Sequence, residues 1–325
     1  MSGIEVIKPG LMTTVQDLGR PGYYHLGIPM SGAMDRFALR VANLLVGNDE
    51  GAAGLEVVFS GPTLKFGSTR TVAVTGAEMP PQLNGRAVPT WSSFTVQAGD
   101  TLSFAFLKKG ARAYVAISGG IDVPLILGSR STYPIVGMGG FQGRPLKAGD
   151  MVALEAEKGG AKSEKVLPKD LVREISSEVS LRVLPGLYDF RVEEGSLQEF
   201  FEDSWKVAPE ADRMGYRFRG GKPLKFVSRE QPFGAGSDPS NIVDAGYPYG
   251  SVQVPAGLEP IVLHRDAVTG GGYFMIGTVI ASDMDLIGQL QPHQKVRFAK
   301  VTMEDALAAR ASEIARFERA RELCK

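Results

Sequence analysis

A charged triplet, His264, Arg265 and Asp266, directly follows the apolar run Pro260–Leu263 and precedes a glycine-rich turn. Charged side chains at the end of a strand lie beside a loop, where rigid scaffolds commonly carry binding and catalytic groups. We therefore predict that Asp266 or His264 moves a proton in a reaction. The alternative interpretation is a hairpin turn with a solvated polar rim.

Two nearby segments add polar side chains and accessible backbone. Ser240, Asn241 and Asp244 lie in a polar loop between strands and are predicted to bind a substrate. The turn chemistry of Asp, Asn and Ser is the alternative explanation of this composition. Gly271 and Gly272 belong to a run of three glycines, which we predict to present backbone N–H groups to an anion.

Arginines are natural candidates for holding an anionic ligand, because a guanidinium binds carboxylates and phosphates through paired hydrogen bonds. Arg213 and Arg217 are four residues apart, so on a strand they would share a face, separated by an acidic side chain or by a ligand. Asp17 and Arg20 share a Gly-Pro loop, which either faces a substrate or is fixed by their ion pair. Arg36 is a further candidate for a side chain that faces a pocket.

Short apolar or alternating runs between turns predict the strands that must position these side chains. The predicted strands are Thr71–Thr75, Phe94–Val96, Thr101–Phe106, Ala113–Ile117, Met151–Leu154, Ser180–Val183, Ile261–Leu263, Tyr273–Ile280 and Lys295–Phe298. Repeated turn-then-strand units of this kind are typical of barrels and sandwiches. Glycine accounts for 40 of the 325 residues, a larger share than the average of about 7% in proteins. A high glycine content indicates many turns between short strands, so the chain is predicted to be mainly β.

Helices are expected in three places. One covers Asp35–Val46 with Asp35 as its N-cap, and a short one covers Ser196–Phe201. The longest, Thr302–Leu323, begins at a Thr302 cap and is expected to pack on a barrel without carrying chemistry. Its apolar stripe is predicted to consist of Leu307, Ala311, Ile314 and Phe317.

The polar, glycine-containing segment Lys158–Ser177 is the best candidate for a linker. We therefore predict two domains, 1–160 and 178–325, which agrees with the domain number expected for a chain of this length.

Charge and composition limit the partners. Lys+Arg and Asp+Glu are balanced at 36 each, which argues against nucleic acid or an anionic membrane as the main partner. No apolar run approaches the roughly 20 residues that a membrane-spanning helix needs, and the N-terminus lacks the pattern of a signal peptide. With Cys324 as the one cysteine, no internal disulfide is possible, and the cytoplasm is the predicted location.

Familiar cofactor motifs are missing. The segment Gly220–Pro223 lacks the hydroxyl residue of a phosphate-binding P-loop. The three histidines and one cysteine are dispersed along the chain, so the sequence predicts no metal site. There is no Met-Lys pair of the kind that usually marks a biotin attachment site, so any biotin would have to arrive on another chain.

Segments distributed over nearly the whole chain carry a family resemblance. They are Thr14–Tyr23, Gly27–Asp35, Ala42–Asn48, Ala113–Ile121, Asp212–Arg217, Gly250–Pro255, Pro260–Leu263, Gly271–Tyr273 and Ile276–Ile280, together with Asp266. Taken together they resemble the C subunit of the bacterial 5-oxoprolinase family, also called allophanate hydrolase subunit 2.

The resemblance implies two cyclophilin-like β-barrel domains, a few helices and, as a partner, the B subunit of the same family. With the A and B subunits, complexes of this family open 5-oxoproline to glutamate with ATP. The same architecture resembles the carboxyltransferase part of urea carboxylase, to which biotin on a separate carrier brings the carboxyl group. The segment Ser237–Gly250 resembles the urea-carboxylase version, which makes a urea-like substrate a rival to a lactam.

Three functions follow as hypotheses. The first is one component of an ATP-dependent complex that hydrolyses a small amide, most naturally 5-oxoproline. The second is the carboxyltransferase component of a biotin-dependent enzyme. The third is a regulatory protein that controls a sensor kinase, which would require a partner surface without a polar pocket.

Overall fold

A computed structural model describes residues 3–157 and 164–324 of the chain. The beginning of the predicted linker, Lys158–Ser163, lies outside the described residues. The described residues fall into two compact units. The first comprises those within Met1–Arg20, Ser31–Ile175 and Ala315–Lys325, and the second Pro21–Met30 and Ser176–Ile314. As domains, the ranges 1–160 and 178–325 stay a prediction.

The strands of the first unit form a six-stranded and a five-stranded sheet. The first sheet has the order β11-β1-β4-β9-β6-β7 and the second the order β2-β3-β10-β5-β8. The strands are β1 (Gly3–Lys8), β2 (Met12–Gln16), β3 (Gly54–Val58), β4 (Thr63–Phe66), β5 (Arg70–Glu78), β6 (Pro81–Leu83), β7 (Arg86–Ala87), β8 (Ser93–Val96), β9 (Thr101–Phe104), β10 (Lys109–Ile117) and β11 (Met151–Ala153).

Side chains from both sheets of the first unit share one apolar core. Alternate residues of a strand point to the same face, and in β1 the inward pair is Ile4 and Val6, both fully buried. Val72 and Val74 of β5 contribute in the same way from the other sheet. The two sheets therefore pack face to face around a single core.

Helix α1 (Arg36–Leu45) packs its apolar face on β5 and β10. The predicted N-cap is confirmed, since the Asp35 carboxylate accepts a hydrogen bond of 2.9 Å from the N–H of Ala38. The hydroxyl of Tyr114 in β10 accepts a bond from the Asp35 N–H and donates to buried Glu56 in β3. Burial and the neighbouring Glu56 raise the pKa of Tyr114 well above its usual value. The start of the helix is thus tied to two strands.

Replacing Asp35 by alanine is expected to lower the free energy of unfolding by about 1 kcal/mol, because the first turn of α1 loses its cap. Replacing Asp35 by serine keeps a side-chain acceptor and is expected to cost only a few tenths of a kcal/mol. Chemical denaturation of the two variants measures the difference. Equal stability of the alanine and serine variants would show that the cap contributes nothing.

The second unit contains a closed barrel with the order β12-β19-β16-β17-β14-β13-β20. Pairing is antiparallel around the ring except where β12 meets β20 in parallel. Strands β15 and β18 form a separate two-stranded sheet. The strands are β12 (Glu178–Pro185), β13 (Trp205–Val207), β14 (Gly215–Arg219), β15 (Asn241–Gly246), β16 (Ser251–Gln253), β17 (Ile261–Leu263), β18 (Gly270–Tyr273), β19 (Met275–Val279) and β20 (Lys295–Lys300).

The described residues form three further helices, α2 (Glu194–Glu202), α3 (Met284–Ile287) and α4 (Met303–Leu323). Thr302 caps α4 as predicted, since its hydroxyl accepts from the N–H of Asp305. The predicted apolar stripe is wrong except at Phe317, because Leu307 and Ile314 are exposed. Phe317 and Ala320 pack instead against a cluster that includes Phe37 of α1. A spacing of three or four residues between apolar side chains does not by itself determine which side of the helix contacts a neighbouring element.

The predicted mainly β fold, with a barrel and a C-terminal helix, is confirmed. In the first unit the described strands are arranged as two sheets with a common core. No helix in the described part of the chain is both long and apolar enough to span a membrane.

Candidate functional site

The charged triplet lies where the β14–β17 ladder continues beyond the named strands. Gly215 of β14 pairs with Leu263 of β17. The N–H of His264 then donates to the carbonyl oxygen of Met214, and that of Asp266 to Arg213, both at 2.9 Å. These backbone bonds hold the triplet against the residues that precede β14. The predicted position of the triplet at a strand end is therefore what the structure has.

Asp266 and Arg213 form a buried ion pair. The Arg213 Nε donates to Asp266 Oδ2 at 2.7 Å, and Nη2 lies 3.4 Å from Oδ1. Asp266 is 2% exposed and Arg213 is 6% exposed. Separating such a pair leaves an uncompensated charge in a poorly solvated place. The ion pair therefore holds both side chains in place at this position. A proton-transfer role of Asp266 stays a prediction.

Arg213 and Arg217 each contact a different carboxylate. Arg213 precedes β14, which begins at Gly215, and its side chain pairs with Asp266. Arg217 donates from Nη1 to Glu259 Oε2 at 3.0 Å. Each guanidinium therefore has its own carboxylate, which agrees with the acidic-side-chain alternative, and substrate binding by the two arginines stays a prediction.

His264 is buried and packs against Tyr216, Tyr249 and the first residue of α3. Its Nε2 lies 3.1 Å from the carbonyl oxygen of Met284 and 3.5 Å from the Tyr249 hydroxyl. A carbonyl oxygen only accepts hydrogen bonds, so the contact requires the proton on Nε2. The rings of Tyr249 and His264 meet edge to face, with centroids 5.3 Å apart. These contacts fix the imidazole, and its role in moving a proton stays a prediction.

Arg265 is the unusual member of the triplet. It is 4% exposed, and its guanidinium carbon lies 4.5 Å from the centroid of the Tyr249 ring. Its buried Nε has no hydrogen-bond partner among the described residues. A guanidinium keeps its charge at any physiological pH, so burial without an acceptor is costly. An anionic ligand at this position would supply the acceptors that the side chain needs.

The polar loop before β15 is organised by local bonds. Asp238 Oδ1 accepts from the N–H of Ser240 at 2.9 Å and from its hydroxyl at 2.7 Å. Asn241 Nδ2 donates to the carbonyl oxygen of Ala235 at 3.2 Å, and Asp244 is exposed in β15. Turn chemistry thus explains Ser240 and Asn241, while substrate binding by the three predicted residues stays a prediction.

The glycine run adopts a different conformation from the predicted one. Gly271 and Gly272 lie in β18, which pairs with β15 through Ala245 and Gly271. Neither has a positive φ, so the alternating handedness of an anion-binding nest is not formed. A Cβ at Gly271 would lie 3.2 Å from the Tyr247 ring, which explains a glycine there by packing. Substrate binding by the two glycines stays a prediction.

Asp17 and Arg20 lie in the first unit and are both buried. The Asp17 carboxylate accepts from the hydroxyls of Ser129 and Ser131 and from the N–H of Arg130. Arg20 Nη2 donates to the carbonyl oxygen of Ser131. Asp17 is thus fixed by a serine-containing segment and not by the alternative ion pair with Arg20, and substrate binding by Asp17 and Arg20 stays a prediction.

Arg36 is exposed at the first position of α1. In the second unit the structure brings together Arg213, His264, Arg265 and Asp266, and adds Tyr249. Two features of this cluster could not be recognised in the sequence. One is that the Arg265 Nε is buried without an acceptor among the described residues, and the other is that Tyr249 supports it from 16 residues earlier in the chain.

Comparison with known proteins identifies the family. Residues 26–300 match the family described as "Carboxyltransferase domain, subdomain A and B". The chain is 36% identical over 315 residues to the C subunit of the 5-oxoprolinase of Escherichia coli (strain K12), covering 97% of this chain and 96% of that protein. It is 35% identical to the urea amidolyase of Saccharomyces cerevisiae, covering 96% of this chain and 17% of that protein.

Among solved structures, the K. lactis urea amidolyase is similar to this chain with a TM-score of 0.92 and 33% identity. The match covers 98% of this chain and 20% of the amidolyase, so the chain spans about a fifth of that larger protein. Both sets of relatives are named as enzymes or as subunits of enzymes, which supports an enzymatic role. The chain belongs to the carboxyltransferase domain, subdomain A and B, family.

Proposed function

We propose that this chain is one component of an ATP-dependent complex that hydrolyses 5-oxoproline to glutamate. The observation that carries the proposal is the buried guanidinium of Arg265, whose Nε has no acceptor among the described residues. The substrate 5-oxoproline has a carboxylate beside its ring amide, and a guanidinium binds a carboxylate through two parallel hydrogen bonds. Arg265 would hold that carboxylate and so orient the lactam.

The charge of the substrate separates the two leading hypotheses. Urea is neutral and has no carboxylate, so it would leave the buried Nε of Arg265 without an anionic acceptor before any carboxyl group arrives. A site that holds an anion before the reaction begins is better matched to 5-oxoproline. The buried polar cluster also disfavours a purely regulatory protein, which needs a surface without a polar pocket.

The proposal includes partners. The relative in Escherichia coli is named as the C subunit of 5-oxoprolinase and matches over nearly the full length of both chains. The B and A subunits of such an enzyme are therefore proposed as partners, with ATP used by the assembled complex. Hydrolysis breaks the lactam C–N bond, water supplies the new carboxylate oxygen, and both protons of that water end on the nitrogen, which becomes the ammonium group of glutamate.

A second candidate is the carboxyltransferase component of a urea-carboxylase-like enzyme. It is favoured by the TM-score of 0.92 to the K. lactis urea amidolyase. In this reaction biotin on a separate carrier would bring the carboxyl group. Arg265 would then hold the carboxyl group during its transfer.

The test is to purify the chain with its B and A partner chains and to measure ATP-dependent loss of 5-oxoproline. The expected result is glutamate formation that requires all three chains and ATP. A parallel reaction contains urea, bicarbonate, a biotin carrier and biotin carboxylase. Carboxylation of urea in that reaction, without loss of 5-oxoproline in the first, would overturn the proposal.

A further inference from the structure

Arg191 and Arg229 of the second unit have no role in the site described above. Arg191 ends a short 3-10 turn, and its carbonyl oxygen accepts from the N–H of Val227 at 2.9 Å. Arg229 follows two residues after Val227, and its Nη2 donates to the carbonyl oxygen of Asn241 at 3.0 Å. The backbone thus places the two arginines on adjoining segments near the start of β15.

Two nitrogens of the Arg191 guanidinium are shielded from water without gaining an acceptor, while the residue as a whole is half-buried. Its Nε and Nη1 are buried and have no hydrogen-bond partner within residues 3–157 and 164–324. Its central carbon lies 4.8 Å from the centroid of the Tyr188 ring and 5.9 Å from that of Phe190. Aromatic faces attract a cation, but they do not replace the in-plane acceptors that N–H groups need.

The electrostatic environment of Arg191 is unfavourable for its charge. Burial lowers the pKa of Arg191, and the neighbouring positive charge of Arg229 lowers it further. The influence of Tyr188 acts in the opposite direction, and no carboxylate is among the causes. Two neighbouring like charges disfavour each other's charged form, and an anion beside them would offset that repulsion.

A buried acceptor lies on the same segment as Arg229. Gln231 Nε2 donates to the carbonyl oxygen of Asp238 at 2.9 Å. Its Oε1 is buried and has no hydrogen-bond donor in the described part of the chain. Among the described residues, Gln231 therefore has an unsatisfied acceptor two residues after Arg229 in the chain.

We propose that Arg191 and Arg229 form a binding site for a phosphate group. A phosphate carries up to two negative charges and several oxygens around one atom, so it contacts two guanidiniums at once. The phosphate is either inorganic phosphate or the terminal group of a nucleoside triphosphate. The inference rests on the proposed ATP-dependent function only for the nucleotide source, and the anion site itself follows from the arginines.

The test is isothermal titration calorimetry of the purified chain with inorganic phosphate and, separately, with ATP in a low-chloride buffer. Replacing Arg191 or Arg229 by glutamine is expected to weaken binding at least about 10-fold, the effect of one hydrogen bond between charged groups. Replacing Arg191 by lysine keeps the charge and is expected to weaken binding less. Tighter binding of ATP identifies a nucleotide as the source, and tighter binding of phosphate identifies the free ion.

The matched control is Arg219→Gln, because Arg219 in β14 is an exposed arginine paired with Glu210 and Glu259. Its binding is expected to stay within twofold of the wild type. Without ligand, Arg191→Gln is expected to melt no lower than the wild type, because a like-charge repulsion is removed.

The proposal is overturned if neither ligand binds or if Arg191→Gln binds both as the wild type does. It is also overturned if Arg191→Gln melts several degrees lower without ligand, since that identifies a structural role. Because both readouts use the chain alone, they are independent of whether the assembled complex consumes 5-oxoproline.

Discussion

Replacing Arg265 by glutamine is expected to lower kcat/KM of the assembled complex for 5-oxoproline by about 10- to 100-fold. This is the effect of losing a hydrogen bond between a guanidinium and a carboxylate. The carboxylate takes no part in bond cleavage, so the loss should lie mainly in KM. Replacing Arg265 by lysine keeps the charge but not the paired geometry, and an intermediate loss is expected. Steady-state kinetics of the three complexes measures these effects.

The folding of the Arg265→Gln chain is the control for this experiment. The buried Nε of Arg265 has no partner among the described residues, so glutamine should change the free energy of unfolding by no more than about 1 kcal/mol, the value of its contact with Tyr249. The exposed Arg219→Gln complex should keep kcat/KM within twofold. A large loss of stability in Arg265→Gln, with unchanged kinetics in the surviving complex, would contradict the proposed role.

Replacing Asp266 by asparagine is expected to lower the free energy of unfolding of the chain by about 3–5 kcal/mol. The reason is that Arg213 would keep its charge in a buried place after losing the carboxylate that it contacts at 2.7 Å. Thermal or chemical unfolding of the purified chain measures the effect. The double replacement of Arg213 by methionine and Asp266 by leucine removes both charges and is expected to recover most of the lost stability.

The matched comparison is Arg217→Met, which breaks the partly exposed ion pair with Glu259. That pair is screened by water and is expected to contribute only about 0–1 kcal/mol. If Asp266→Asn instead keeps the wild-type stability and abolishes activity, Asp266 acts in proton transfer, and the structural role argued for the ion pair is wrong.

Features that depend on short stretches of sequence were predictable. The Asp35 cap follows from a polar side chain directly before an apolar helical pattern, and Ala38, its partner, is three residues away. The position of His264 and Asp266 at a strand end follows from the preceding apolar run. Both depend on contacts between near neighbours in the chain, which the sequence order itself determines.

Features that depend on long-range pairing were not predictable. Arg213 and Asp266 are 53 residues apart, and nothing in the sequence distinguishes Asp266 from the other carboxylates as the partner of Arg213. For this reason the sequence left open whether an acidic side chain or a ligand faces Arg213 and Arg217. Gly271 and Gly272 are compatible with either a turn or a strand. They lie in a strand because β18 pairs with β15.

The most direct test of the proposed function compares 5-oxoproline with 2-pyrrolidinone, the same five-membered lactam without the carboxylate. Binding of each compound is measured with the assembled complex, for the wild type and for Arg265→Gln. We expect the wild type to prefer 5-oxoproline by at least about 10-fold, and the preference to fall to near unity in Arg265→Gln. An equal preference in the two complexes would contradict the claim that Arg265 holds the substrate carboxylate.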